Sequence, residues 1–311
     1  MTATPSTIAL VGCGSWGRLI LRDLVALGCE VPVVARSAAS RERAREGGAS
    51  VVVDAIASLP PIDGAVVSTP TTTHAEVVEE LLGLHVPIYV EKPLTQDLRS
   101  AERVVAAAAG RVFVMDKWRY HPGVLCLAEI ARSGELGPVV GLRTTRVGWA
   151  KHLLDVDAVW HLLPHDLAIG LEILGELPPV RSAVAEREGS AVTGMIATLG
   201  ERPWLVAEVS ERRRRHFREV RLFCEGGSAV LADSYSDHVA IHRASDEHPV
   251  EPPAAELRSI DTTMPLLAEL EAFVGHVHGG PPPKSSAEDA LAIVRAIDLL
   301  RRSAGIEEKE A

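Results

Sequence analysis

The chain has 311 residues, 47% of them hydrophobic and 24% charged, with a formal net charge of −10. That length and balance fit two globular domains with a real core, and they exclude disorder, a collagen-like repeat or a coiled coil as the whole structure. The negative charge argues against nucleic acid or an anionic membrane as partner, since both are held by clustered positive charge; it leaves room for an anionic small substrate in a locally basic pocket. Cys13, Cys29, Cys126 and Cys224 are spaced too widely for a CxxC or zinc pattern and are expected to be reduced thiols. The apolar run 8–11 is broken at once by Gly12 and Gly14, and no stretch approaches the roughly 18 apolar residues of a membrane span. The expected location is the cytoplasm.

The first third alternates short β-branched runs with helical patterns. A strand over 8–11 ends at Gly12. Trp16, Leu19, Ile20, Leu24 and Leu27 follow at helical spacing, stopped by Gly28. Strands are expected over 31–35, 50–53, 65–68, 86–90 and 111–115, with helices over 40–46, 74–84 and 98–109. Alternating βαβα with continuous apolar strands predicts a doubly wound parallel sheet, covered on both faces, with ligands at the carboxyl ends of its strands.

After Trp118 the texture changes. A helix over 122–133, a strand over 139–147 and a helical region over 157–174, interrupted by Pro164, are followed by strands over 180–186, 193–199, 204–213, 219–225, 228–232 and 238–242. No helix-length pattern separates these last runs, so antiparallel strands in meander order are expected. Residues 247–256 read as an exposed loop, 264–277 as a helix, 281–283 as a stiff proline linker, and Ser285-Ser286 as the cap of a final helix. The fold class is therefore α/β: an N-terminal Rossmann sheet plus an α+β domain with a large open, mainly antiparallel sheet. The expected division is 1–118 for the dinucleotide-binding domain, with the closing helix 285–303 packing back on it, and 119–284 for substrate binding and oligomerisation.

Gly12-Cys13-Gly14-Ser15-Trp16-Gly17 is a GxGxxG between a predicted strand and a predicted helix. In that context Gly12 allows the tight turn, Gly14 lets the backbone approach a pyrophosphate, and Gly17 lets helix and strand pack closely. An acidic residue at the end of the second strand would grip the ribose 2′-hydroxyl of NAD. The chain instead reads Val33-Val34-Ala35-Arg36-Ser37, with Arg41 and Arg43 nearby. Arg36 and Ser37 suit a 2′-phosphate by charge and fork geometry, so NADP(H) is the expected cofactor, with NAD as the lesser alternative.

Ser68-Thr69-Pro70 ends the fourth strand, His74 follows, and the fifth strand ends in Glu91-Lys92-Pro93. With these motifs the whole chain resembles the Gfo/Idh/MocA family, the glucose-fructose oxidoreductase and inositol dehydrogenase group. The resemblance implies hydride transfer between a nicotinamide and an alcohol or ketone carbon, most often on a sugar or cyclitol, and dimers or tetramers formed through the C-terminal sheet. It implies that Lys92 contacts the reacting oxygen and the nicotinamide ribose, with Pro93, through a cis peptide as in relatives, fixing its direction. A strand-end ammonium suits that task, since it stabilises developing oxyanion charge and helps a proton move. The family's second catalytic element is a helix carrying Asp-x-x-x-His. Here His165 matches the histidine, whereas His161 stands where Asp is common. That departure leaves the proton relay open, with Asp157 as a nearby carboxylate. The family needs no metal, and none is expected.

Further candidates surround these. Trp118 and Arg119 would wall the cofactor, and Lys117 or Tyr120 would meet substrate, as would Trp149 and Lys151 from a loop after the first strand of the second domain. Arg212 to Arg215 read as a solvated or subunit-facing strand, or as a phosphate grip. The expected activity is that of an NADP(H)-dependent ketosugar reductase acting on a sugar, nucleotide sugar or cyclitol. Alternatives are a reductase of an imine or dihydrodiol-type substrate, and a non-catalytic nucleotide sensor.

Overall fold

The computed structural model describes residues 5–149, 155–244 and 254–306. Its strands are β1 (Ile8–Val11), β2 (Pro32–Val34), β3 (Val51–Val53), β4 (Gly64–Val67), β5 (Ile88–Glu91), β6 (Val112–Met115), β7 (Val139–Trp149), β8 (Val180–Glu188), β9 (Ala191–Gly200), β10 (Trp204–Ser210), β11 (Arg212–Cys224), β12 (Gly227–Leu231), β13 (His238–Arg243) and β14 (Glu256–Ser259). Its helices are α1 (Gly17–Ala26), α2 (Ala38–Glu46), α3 (His74–Leu82), α4 (Leu98–Ala108), α5 (Pro122–Ser133), α6 (Ala158–Leu174), α7 (Pro265–Val277) and α8 (Ala287–Ser303). Residues up to 117 together with 265–294 form one compact unit, and residues 118–264 together with those from 295 onward form the other. None of the described helices is long and apolar enough to cross a membrane.

The first unit is a six-stranded sheet of order β3-β2-β1-β4-β5-β6, parallel throughout. β1, β4 and β6 are buried along their whole length, as strands covered on both faces must be. α1 turns Ile20, Leu21 and Leu24 inward at helical spacing. α7 adds Leu266, Leu270 and Phe273 to the same core, where Phe273 stacks on Tyr89 with ring centroids 5.0 Å apart. The polar helices rely on their ends. Ser37 caps α2 by accepting from the Ser40 N–H at 3.1 Å, and Asp97 caps α4 by accepting from the Ser100 N–H at 2.8 Å. Such caps contribute about 1 kcal/mol each.

The second unit holds an eight-stranded sheet of order β14-β13-β12-β11-β7-β10-β9-β8. It is not the meander expected from sequence. β7 lies between β10 and β11 and runs parallel to β10, because α6 provides the crossover that a parallel pair requires. Nor does the chain break after Arg213: β11 starts at Arg212 and runs to Cys224, with a register shift between Arg212 and Phe217 that leaves residues 213–216 exposed. β14 begins at Glu256, the last residue of the expected loop over 247–256, of which 247–253 lie outside the described residues. Side chains alternate across the sheet. Leu142, Ala197, Leu205, Ala207, Leu222 and Ile241 are buried, on strands against which α5 and α6 pack. On the opposite face Arg143, Ile196 and Phe217 stay exposed.

α6 runs through Pro164 without a break, contrary to the expected interruption. Proline removes one helix hydrogen bond and crowds the preceding turn, so other contacts must hold the helix. Asp157 caps it, accepting from the Val159 and Trp160 N–H groups at 3.1 and 3.2 Å, and its second oxygen accepts from Arg301 at 2.6 Å. In mid-helix Asp166 accepts from Arg146 Nε of β7 at 2.7 Å, and both side chains are buried. Burial pushes the Asp166 carboxyl up and the Arg146 guanidinium down, while their mutual attraction opposes both shifts. Removing one member strands the other charge. Asp166→Ala is therefore expected to lower stability by about 3–5 kcal/mol, with replacement of both residues by apolar ones costing less. Urea midpoints at unchanged slope measure both effects.

Candidate functional site

The GxGxxG segment follows β1 and leads into α1. Gly12 has φ +94°, and a Cβ there would lie 2.6 Å from the Ser68 carbonyl oxygen; one at Gly17 would lie 2.4 Å from the Gly12 carbonyl oxygen. Both positions therefore require glycine. A Cβ at Gly14 would meet nothing within 4 Å, so this part of the turn is open to a ligand. α1 has no side-chain cap and no acid in its first turn, which leaves its N–H groups and positive dipole end to an anion. These features fit the pyrophosphate of a dinucleotide. The turn is braced from α2: Ser40 Oγ lies 3.3 Å from Cys13 N and 3.1 Å from Cys13 O, and Arg43 Nε donates to the same carbonyl at 2.9 Å. The sequence named Arg43 only as a neighbour and missed Ser40; a serine in the first turn of the helix after the second strand was the available signal. At the end of β2, Arg36 is exposed, Ser37 accepts in the α2 cap, and Arg41 buries its Nε with no protein acceptor.

Other predicted residues converge on the carboxyl ends of β4, β5 and β6. Thr73 Oγ1 lies 2.9 Å from Thr69 Oγ1 and 2.8 Å from the Pro70 carbonyl oxygen. His74 is buried, with Nδ1 2.9 Å from the Pro93 carbonyl and Nε2 3.0 Å from the Thr69 carbonyl. Burial pushes its pKa down. Both ring nitrogens are thus taken by backbone, and the ring ties the Thr-Pro turn to the Glu-Lys-Pro turn instead of facing a cofactor. The Lys92–Pro93 peptide is cis. Trp16 Nε1 donates to Glu91, and the Lys117 ammonium stands 4.2 Å above the Trp16 ring.

In the second unit, Trp118 is 5% exposed and lies between the His121 ring, stacked at 5.0 Å, and the Arg146 guanidinium at 4.4 Å. Arg119 pairs with Glu172 at 3.1 Å. Both make packing contacts within this unit. Tyr120 is half-buried in the turn before α5, and Trp149 is 60% exposed with Arg212 5.3 Å from its ring. Lys151 and its neighbour His152 lie outside the described residues. His161 and His165, four apart on α6, share one face. The acid at His161 is Glu211, which sequence reasoning missed, and not Asp157, whose oxygens serve the cap and Arg301. Glu211 Oε1 lies 3.0 Å from His161 Nδ1; fifty residues separate the two, so no local pattern signals the pair. Among the described residues no cluster of three or more His, Cys, Asp or Glu is placed to hold a metal ion.

Residues 6–115 match the family described as an oxidoreductase family with an NAD-binding Rossmann fold, Gfo/Idh/MocA. Over those residues the chain matches that family's NAD-binding Rossmann domain. It is an enzyme, an NAD(P)-dependent oxidoreductase. Inositol 2-dehydrogenase of Rhizobium meliloti is 23% identical, with 81% of each chain covered. UDP-N-acetylglucosamine 3-dehydrogenase of Acidithiobacillus ferrooxidans is 27% identical over 88% of this chain and 89% of the relative. The solved structure of the latter superposes with a TM-score of 0.83 at 21% identity, covering 97% of this chain and 99% of that one. A levoglucosan dehydrogenase in complex with NADH superposes with a TM-score of 0.84 at 16% identity, covering 97% of each chain. These two superpositions show a shared fold.

The strand ends of the Rossmann unit also hold a buried carboxyl that sequence did not single out. Glu269 of α7 is 1% exposed; Tyr89 Oη donates to one oxygen at 3.5 Å and the other has no hydrogen-bond partner. Burial, then the charge of Glu91 and that of Asp116, push its pKa well above the ordinary carboxylate range, against the opposing charge of Lys117. A carboxyl raised in the folded state stabilises below its unfolded pKa, and that stability is lost as pH rises through the folded value. Glu269→Gln does not titrate. Its Tm advantage over wild type is expected to grow from about pH 5 to about pH 9, read by thermal melts across that range.

Proposed function

We propose that this enzyme is an NADP(H)-dependent reductase of a ketone carbon on a sugar, nucleotide sugar or cyclitol, running in reverse as a secondary-alcohol dehydrogenase. The carrying observation is the Rossmann unit itself: a glycine turn open at Gly14 and an uncapped α1, beside a β2 end bearing arginine in place of a carboxylate. The substrate class is supported by relatives named for inositol and UDP-N-acetylglucosamine. The nicotinamide, when bound, supplies or accepts the hydride. Gly12, Gly14, Ser15, Trp16 and Gly17 hold the pyrophosphate through backbone N–H groups and the α1 dipole. Lys92 steadies negative charge on the reacting oxygen. His165 gives that oxygen its proton in reduction and removes it in oxidation. Lys117, Tyr120, Trp149 and Lys151 remain candidate substrate contacts.

The partners in this reading are small molecules and further copies of the chain, not nucleic acid or membrane. A dimer or tetramer through the C-terminal sheet is supported by its second face, which leaves Val184, Ile196 and Phe217 69%, 48% and 45% exposed. All four cysteines are free thiols, which suits a reducing cytoplasm.

Cofactor titration tests the first element. NADPH is expected to bind tighter than NADH. Joint Arg36→Ala and Arg41→Ala changes should remove about ten- to a hundred-fold of NADPH affinity, since a charge-assisted contact contributes about 1.5–3 kcal/mol, and leave NADH affinity unchanged. Equal loss for both cofactors would refute the 2′-phosphate contact.

A screen of sugar, nucleotide-sugar and cyclitol substrates, followed by nicotinamide absorbance, tests the reaction. Lys92→Met and His165→Ala should each lower kcat by about 10²-fold or more with the fold intact. A variant keeping a tenth of wild-type kcat would remove that residue from its role.

A further inference from the structure

Trp16 stands at the start of α1, where serine, threonine, aspartate or asparagine would cap the helix, and its side chain makes no capping bond. A capping serine stays on its own helix; this indole reaches across the strand ends. In the sheet β4 separates β1 from β5, so the ends of β1 and β5 lie about 10 Å apart at the usual strand spacing. The Trp16 Nε1–H donates to Glu91, the last residue of β5, and the Lys117 ammonium stands 4.2 Å above the ring. Lys117 lies two residues beyond Met115, the register partner of Glu91 on β6. One side chain thus joins the glycine turn to the ends of β5 and β6, all within the Rossmann unit. The ring also packs against the apolar core of that unit. Packing needs only an apolar side chain, whereas the bond to Glu91 needs the indole N–H.

We propose that Trp16 is a positioning residue for Lys92: by holding Glu91 it fixes the end of β5 and so places the ammonium of the next residue. The proposal rests on the reductase reading above, in which Lys92 steadies charge on the reacting oxygen; Trp16 acts through Glu91. On the other side of Lys92, His74 lies 2.9 Å from the Pro93 carbonyl. Both sequence neighbours of the lysine are therefore pinned by side chains from other segments. The same bond also favours the charged form of Glu91. Burial pushes this carboxyl up, and the charge of Lys92, the bond from Trp16 and the charge of Lys117 oppose that shift. The glycine turn is also the proposed pyrophosphate site, so cofactor and lysine are placed from one frame.

Trp16→Phe tests this, because it keeps an aromatic face for Lys117 and removes the N–H. Lysine side-chain 13C NMR of the protein without cofactor or substrate reads Lys92. The chain has five lysines, and Lys92→Met identifies the signal. Wild type should give one ordered Lys92 signal, which in Trp16→Phe should move and lose its order. Steady-state kinetics on the best substrate should show kcat lowered about ten- to a hundredfold, the cost of a misplaced reacting group. KM for cofactor and substrate should change little. Glu91→Asp keeps the charge but draws the acceptor back by one methylene, and should lose about as much; adding Trp16→Phe to it should cost nothing more. Should Trp16→Phe fail to fold, the lysine signal and kcat of Glu91→Asp decide in the same way. A packing role alone would lower the Tm of Trp16→Phe and leave the Lys92 signal and kcat at wild-type values, and that result overturns the proposal. A lowered kcat with an unmoved Lys92 signal overturns it too. A wild type with an ordered Lys92 that turns over no ketone or alcohol overturns the reductase reading, and the role of Trp16 with it.

Discussion

The buried Arg146–Asp166 pair is the contact on which the placing of α6, with His161 and His165 on one face, depends. A helix packed through apolar side chains alone can rotate or slide by part of a turn at small cost, because leucine and isoleucine contacts are not directional. A 2.7 Å ionic hydrogen bond to a strand in the middle of the sheet is directional. Asp166 follows His165 directly, so pointing Asp166 at β7 sets where His165 points, about 100° around the helix. The Asp157–Arg301 contact fixes the N-terminal end of the same helix. Two polar anchors on either side of Pro164 explain why the helix continues through a residue that removes one of its hydrogen bonds.

The Rossmann unit uses the same device with the backbone as target. Ser40 and Arg43 reach from α2 to Cys13 in the glycine turn, and His74 joins the Thr69 carbonyl to the Pro93 carbonyl. Each strand-end turn is short and carries little apolar surface, so packing cannot hold it. A side chain that binds the main chain of the neighbouring turn can, and it couples the turns: the first turns of α2 are linked to the glycine turn, and the Thr-Pro segment to the strand end that bears Lys92. Each of these residues serves geometry, and that is why the candidates of the cofactor site divide into those facing outward, such as Arg36, and those turned into the protein, such as His74.

Much of this was legible in the chain because it is local. The parallel sheet followed from apolar runs alternating with helical spacing, and the glycine turn from two positions where a Cβ would strike backbone. What sequence did not carry was pairing at a distance. The place of β7 between β10 and β11 depends on where α6 returns the chain, which periodicity does not encode. Glu211 and His161 meet across fifty residues, and Arg119 finds Glu172 across fifty-three. Trp118 and Arg119 looked like ligand-facing residues by type, yet an aromatic ring and a guanidinium serve equally well as buried packing partners once Arg146 and Glu172 are beside them. Pro164 misled for a related reason: a helix breaker is read from local cost, and here tertiary anchors outweigh it.

The strand ends of the Rossmann unit set one more constraint. Three carboxyl groups, Glu91, Asp116 and Glu269, act on one another there through their charges, with Lys92 and Lys117 as the opposing cations. Three ionised acids against two bases would leave an unbalanced negative charge in a region shielded from water, where Coulomb energies are several-fold larger than at the surface. A proton retained on Glu269 removes the imbalance: burial and the charges of two neighbouring acids push this carboxyl well above the ordinary range, and its hydrogen bond from Tyr89 is long. Burial pushes the Glu91 carboxyl up as well, opposed by the charge of Lys92, the hydrogen bond from Trp16 and the charge of Lys117. The covering helix thus supplies the acid that the carboxyl groups at the strand ends oppose by their charge.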